Sequence, residues 1–285
     1  MAMPTNIGVI DTMLDLPYAN RDWSSQFGDR LRDEDSRNQR FVHPAGFLFK
    51  DPPQVERGPD AIGDTLREMD RFGIDKALIG VGDAVTIEAI TRHRDRFLGH
   101  VMIDPAGGMP ELARLTEMYE THGIAAASFF PCGCGVPIND KRAYPLYAKC
   151  VELGLPIFVN AGVPGPRMPF APQHVELIDE VCWFFPDLVF VMRHGAEPWV
   201  DLAVKLLLKW PNLYYSTSAF APRYFPKAII DYANTRGADK VIYAGYYPSG
   251  LSLERSFAEL PAVPLRDEVW PKFLRENALR VLKAG

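Results

Sequence analysis

Eight short apolar or β-branched runs punctuate the chain: IGVID from Ile7, KALIGVG from Lys76, FLGHVMI from Phe97, IAAASFF from Ile124, PIFVNAG from Pro156, LVFVMRHG from Leu188, LYYSTSAF from Leu213 and KVIYAG from Lys240. Near-continuous apolar character over so few residues is what a strand buried on both faces requires. Between the runs the period changes from two to about 3.6. PDAIGDTLREMDRFG places Ile62, Leu66, Met69 and Phe72 on one helical face. MPELARLTEMYETHG, YPLYAKCVELG, PQHVELIDEVCWFF, EPWVDLAVKLLLKW and YFPKAIIDYANTRG repeat the pattern, several ending in Gly or before Pro. Strand and helix alternating through eight units predict an α/β fold, a (β/α)₈ TIM barrel.

One interval breaks the rhythm. From about Leu16 to Gly58 no period is visible, and charges and prolines are frequent. A long insertion after the first strand would lie over the face where strand-to-helix loops gather. It reads equally as a surface excursion and as a lid or oligomer contact.

Composition narrows the classes. With 285 residues, 47% of them hydrophobic, the chain suits a single barrel domain over 1–285. A net charge of −5 with no basic block argues against nucleic acid. The four cysteines, Cys132, Cys134, Cys150 and Cys182, are too scattered for a disulfide framework, so reduced thiols and a cytoplasmic location are expected. The start of the chain lacks a basic region followed by a long apolar run, so no signal peptide is expected. The most apolar region, around Val181 to Met192, is interrupted by Pro186 and Asp187, so no membrane span is expected.

In such a barrel the chemistry sits at the C-terminal ends of the strands. Those ends offer Asp11, Met13 and Asp15, then Asp83, Asp104, and Pro131 to Cys134. Beyond them come Asn160 with Arg167, then Arg193, His194 and Glu197, then Ser216 to Ser218 with Arg223, and finally Tyr246 and Tyr247.

Six stretches in order carry a family resemblance: VIDTMLDLP, RDRFLGHVMIDP, LPIFVNAG, LVFVMRHGAEPW, KVIYAGYYPSG and FLRENALRVL. Together they resemble amidohydrolase family 2, the amidohydrolase-related proteins that include aminocarboxymuconate-semialdehyde decarboxylase. The resemblance spans nearly the whole chain. It implies a metal site of two histidines on the first strand, one each on the fifth and sixth, and an aspartate on the eighth. Here those positions read Met13 and Asp15, Asn160, His194, and Tyr246. A catalytic zinc takes at least three imidazole, thiolate or carboxylate ligands. Asp15 and His194 could supply two, but a thioether, a neutral amide and a phenol are poor additions. Cys132 and Cys134 lack the spacing of a zinc site. A degenerate site with no metal and no cofactor is the expectation.

The residues then suggest roles. His194 is the proton carrier, or a leftover histidine hydrogen-bonded in a packed mouth. Asp15 orients it, or simply meets a nearby amide. Arg193 and Arg167 bind a substrate carboxylate, although Arg167 equally suits a surface ion pair. Tyr246, Tyr247 and Asn160 could polarise an oxyanion, with the Tyr246 ring filling the vacated metal space. Met13 and Cys132 would line the pocket, Cys132 as a nucleophile or a packed thiol. The function expected is a metal-independent hydrolase or carbon–carbon lyase, a decarboxylase for example, acting on a small organic acid, ester or lactone. Two alternatives stand beside it: a non-catalytic barrel that binds a ligand or partner, and a metal-dependent hydrolase with an unusual ligand set. The resemblance also implies a homodimer.

Overall fold

A computed structural model describes residues 3–17, 27, 30–38, 43–53, 55 and 57–284. The expected strands form β1 (Val9–Asp11), β2 (Ile74–Gly80), β3 (Phe97–Met102), β4 (Ala126–Phe129), β5 (Ile157–Asn160), β6 (Phe190–Arg193), β7 (Leu213–Ser216) and β8 (Val241–Ile242). They lie parallel in the order β1 to β8 in one curled sheet, with helices between them. Hydrogen bonds bring the two ends of the sheet together. Thr12 N and Oγ1 reach Tyr243 O, Asp15 N reaches Tyr247 O at 2.8 Å, and Leu14 bridges Tyr247 in parallel.

The helices begin and end for local reasons. Asp83 caps the Ala84–Arg92 helix in a reciprocal box with Thr86, a helix the apolar periodicity alone left unmarked. The Met109–His122 helix stops at Gly123, whose left-handed backbone few other residues adopt without strain. Apolar faces such as Leu146, Tyr147 and Cys150 pack outside the strands in one large core.

A second, smaller cluster fills the inside of the sheet. Ile10, Leu78, Ala126, Phe158, Val191 and Ile242 meet there, covered by Ala278, Val281 and Leu282 of the last helix. This closes the N-terminal end of the strands. Side chains alternate along a strand, so residues two further on face the same interior one layer higher. Among those residues are Gly80, Ser128, Asn160, Arg193 and, on β3 above Leu98, His100. An apolar floor thus carries a polar layer, and the polar layer opens toward the C-terminal ends.

Candidate active site

Above the polar layer lies a cavity of about 1390 Å³. Its wall includes Met13, Asp15, Asn160, Arg193, His194 and Tyr246, so the strand-end rule gathers these expected site residues in one place. The described part of the 16–58 interval contributes Phe27, His43, Phe47, Phe49, Lys50 and Arg57 to the same wall.

Arg193 occupies the centre. It is the last residue of β6, faces inward, and is only 5% exposed. Its Nε donates to Asn160 Oδ1 at 2.6 Å, and its Nη1 lies 3.7 Å from Met13 Sδ. Asn160 stands directly beside it in the β5–β6 register. A guanidinium stays charged at any working pH, so its burial brings a fixed positive charge into the polar layer.

His194 takes a different direction. It follows the strand with a left-handed backbone, φ 68°, and Gly195 and Ala196 continue at 92° and 57°. Such φ values cost a non-glycine residue roughly 1 kcal/mol or more and need local support. Ser218 supplies it, its Oγ accepting from His194 N at 3.0 Å and lying 3.2 Å from His194 Nδ1. The ring meets Tyr246 edge-on at 5.5 Å. Desolvation, the neighbouring Arg193 charge and His43 together hold the imidazole well below its ordinary pKa of 6.5. It is therefore neutral near pH 7.

Asp15 and His194 have different partners. Asp15 Oδ1 accepts from Gly80 N at 2.7 Å, on the other side of the first strand. A Cβ at Gly80 would stand 3.2 Å from that oxygen, which favours glycine there. Tyr246 stacks on Phe49 at 5.4 Å and its hydroxyl reaches His43 Nε2 at 3.3 Å. Arg167 lines the cavity but is paired with Asp33 at 2.8 Å and Asp35 at 3.3 Å, and lies over the Phe47 ring. Tyr247 and Cys132 are not among the residues that line the cavity. Tyr247 is buried, and its backbone serves the β1–β8 seam. Cys132 Sγ donates to Pro169 O at 3.1 Å, and burial pushes its thiol up to about 12, far from a reactive thiolate.

Three residues at the site carried no weight in the sequence reading. His100 lines the cavity from β3, with Nδ1 2.9 Å from Ser128 Oγ. Its signal was its parity, an imidazole alternating with apolar residues on an inward face. Ser218 was noted only as a strand-end residue, and His43 lay in the interval without a period.

The positions that the resemblance marks for a metal can be tested by their chemistry. Asn160 and Met13 turn their lone pairs toward the Arg193 cation, and the Tyr246 hydroxyl is turned to His43. A permanent cation, a thioether and a neutral amide at the centre do not fit a divalent ion. Among the described residues, no group of three or more His, Cys, Asp or Glu stands close enough to hold one.

Fold and cavity together define an α/β barrel protein with its pocket at the strand C-termini. The amidohydrolase family's profile matches residues 26–284, and the chain belongs to that family. No curated protein matches the sequence. An uncharacterized TIM-barrel protein, Bb4693 from Bordetella bronchiseptica, superposes with a TM-score of 0.74 at 23% identity, covering 96% of this chain and 98% of its own. The 5-carboxyvanillate decarboxylase of Sphingomonas paucimobilis gives 0.67 at 14% identity over 98% and 99% of the two chains. A dihydroxybenzoic acid decarboxylase from Polaromonas, solved with bound manganese and the inhibitor 2-nitroresorcinol, gives 0.66 at 15% over 97% of each. At these identities the likenesses establish the fold. No described helix is long and apolar enough to cross a membrane.

Proposed function

We propose that this chain is a metal-independent amidohydrolase-family enzyme that cleaves a small organic acid, or its ester or lactone, by hydrolysis or carbon–carbon bond cleavage. The observation that carries the reading is the buried Arg193 guanidinium, bonded to Asn160 at the centre of the polar layer. It supplies a fixed positive charge where a carboxylate, or the negative charge of a transition state, would settle. The decarboxylases of similar fold have aromatic acids in their names, which supports an aromatic carboxylate as substrate.

His194 is the proton carrier in this reading. A neutral imidazole takes a proton from water, whose oxygen then adds to the carbonyl carbon as the C=O pair moves onto oxygen. Collapse of that adduct breaks the C–O bond, and the leaving oxygen recovers the proton from the imidazolium. In the lyase variant the imidazolium passes the proton instead to the carbon bearing the carboxylate, whose π pair forms the new C–H bond, and the hydroxide left from that water combines with the released CO₂ as bicarbonate. The C–C pair then returns to the substrate as CO₂ departs. Ser218 holds the ring in place, and Asn160 positions the guanidinium. Asp15, tied to Gly80, is reassigned from orienting His194 to shaping the opposite wall, beside His100. A cytoplasmic homodimer with one barrel domain over 1–285 completes the proposal; the sizing-column mass reports the dimer.

The direct test is turnover of a panel of aromatic acids, esters and lactones by wild type and His194→Ala. Loss of turnover on every substrate the wild type accepts is expected, and full turnover by the variant would overturn the reading.

A further inference from the structure

The cavity is large and its mouth is apolar. Its 1390 Å³ exceeds the roughly 300–1,000 Å³ of ordinary ligand sites, so a one-ring acid fills only part of it. Phe47, Leu48, Val163 and Tyr224 line it and are 54–59% exposed. They come from three different loops, those after β1, β5 and β7. Among the described residues they are four of the eleven large hydrophobic side chains left exposed. Scattered apolar side chains need no explanation, but several around one concave opening mark a surface that something covers.

Phe47 and Leu48 are held there by a built turn, Gly46–Leu48. Leu48 N donates to Ala45 O at 3.0 Å and Phe49 N to Gly46 O at 3.1 Å. On one side the turn packs against the loop after β5, where a Cβ at Gly165 would stand 2.7 Å from Ala45 Cβ. On the other side a Cβ at Gly250 would stand 2.6 Å from the Phe49 ring. Both close approaches need glycine. The backbone is thus seated on two loops while two large side chains stay in water. A guanidinium covers one face of each exposed ring, Arg167 over Phe47 at 4.9 Å and Arg223 over Tyr224 at 4.8 Å. Asp33 and Asp35 pair the first and Glu259 the second, so what the rings add to the opening is apolar surface.

An aromatic path joins this opening to the polar layer. The Tyr246 ring stands 5.5 Å from His194, and Phe49 stacks on it at 5.4 Å and 26°. Phe49 directly follows Leu48 in the chain.

We propose that the substrate carries an apolar arm, an alkyl or aryl group several carbons long. It runs from the acid head along Tyr246 and Phe49 and ends between Phe47, Leu48, Val163 and Tyr224. The head rests on the reading of the site given above; the arm stands on the residues of the opening alone.

Titration calorimetry of the whole chain tests it with benzoate and its para-ethyl, para-butyl and para-hexyl derivatives, beside the matching benzamides as neutral heads. Affinity should rise about two- to four-fold per methylene, the scale of burying one CH₂ group. In Phe47→Ser/Leu48→Ser, in Val163→Ser/Tyr224→Ser, or in both, that gain should fall toward parity. No binding by either hexyl compound, no gain along either series, or a gain that survives both double variants would overturn the proposal. So would a wild-type dimer that either variant converts to monomer on a sizing column, because the opening would then be a subunit interface. Benzamides that bind as tightly as the benzoates would instead strike the carboxylate reading of the head and leave the arm to be judged by the gain per methylene.

Discussion

Arg193 and Asn160 stand side by side at the ends of β6 and β5, joined by a 2.6 Å hydrogen bond from guanidinium Nε to amide Oδ1. Register places the pair, and inward parity aims both side chains at the barrel axis. The bond occupies the Asn160 oxygen and fixes the plane of the guanidinium. A guanidinium held in one plane has less conformational entropy to lose when it meets an anion.

Arg193→Lys keeps the charge but loses the fork. Affinity for a carboxylate ligand is expected to fall by about ten-fold to a hundred-fold, the range for losing a charge-assisted bidentate contact. Calorimetry with benzoate reads this, and unchanged affinity would remove Arg193 from the site.

Two substitutions at His194 should separate backbone strain from chemistry. Asparagine tolerates the left-handed region better than alanine does. His194→Asn should therefore melt closer to wild type than His194→Ala, by roughly 0.5–1 kcal/mol. Both should lose turnover. Paired thermal melts and assays check this, and equal melting of the two would mean that the φ of 68° stores no strain.

The low basicity of His194 gives a pH signature. The imidazole is held well below 6.5, so its base form prevails at neutral pH and is lost only under more acidic conditions. The acid limb of kcat/KM should therefore fall well below pH 6.5. Ser218→Ala should lower turnover while leaving carboxylate binding intact. A limb at 6.5 or above would contradict the desolvated setting.

Asp11 gives a prediction on stability. Its carboxylate is buried, accepts from Met13 N and Gly245 N at 2.9 Å each, and has no partner for Oδ2 among the described residues. Burial outweighs those two donors and raises its pKa from 3.8 to about 6. A raised carboxyl contributes stability that is present below pH 3.8 and is lost as pH climbs through about 6. The loss is about 3 kcal/mol. Asp11→Asn keeps an acceptor for the two N–H groups and cannot ionise. Denaturant unfolding should show a smaller fall in stability between pH 4 and 7 in the variant than in wild type; identical slopes would contradict the account.

Much of the fold was legible because a buried parallel strand leaves a strong mark. PIFVNAG and LVFVMRHG show their apolar runs and their polar last residues directly. The floor-and-polar-layer arrangement was legible too, in the alternation Phe158 to Asn160 and Val191 to Arg193, and in Leu98 to His100. His100 lies inside β3, away from the strand ends that mark a barrel's catalytic positions. The partners of His194 were not legible. Ser218 approaches only because three successive residues turn left-handed, and no local pattern announces that turn. Likewise Asp15 lies near Gly80 through the β1–β2 neighbourhood, a contact between residues far apart in the chain.

The central claim is that the Arg193 guanidinium, rather than a divalent metal, is the cation at the heart of this barrel. Elemental analysis of the protein purified without chelators tests it most directly. The account expects no transition metal approaching one equivalent per chain. A stoichiometric manganese or zinc would contradict it.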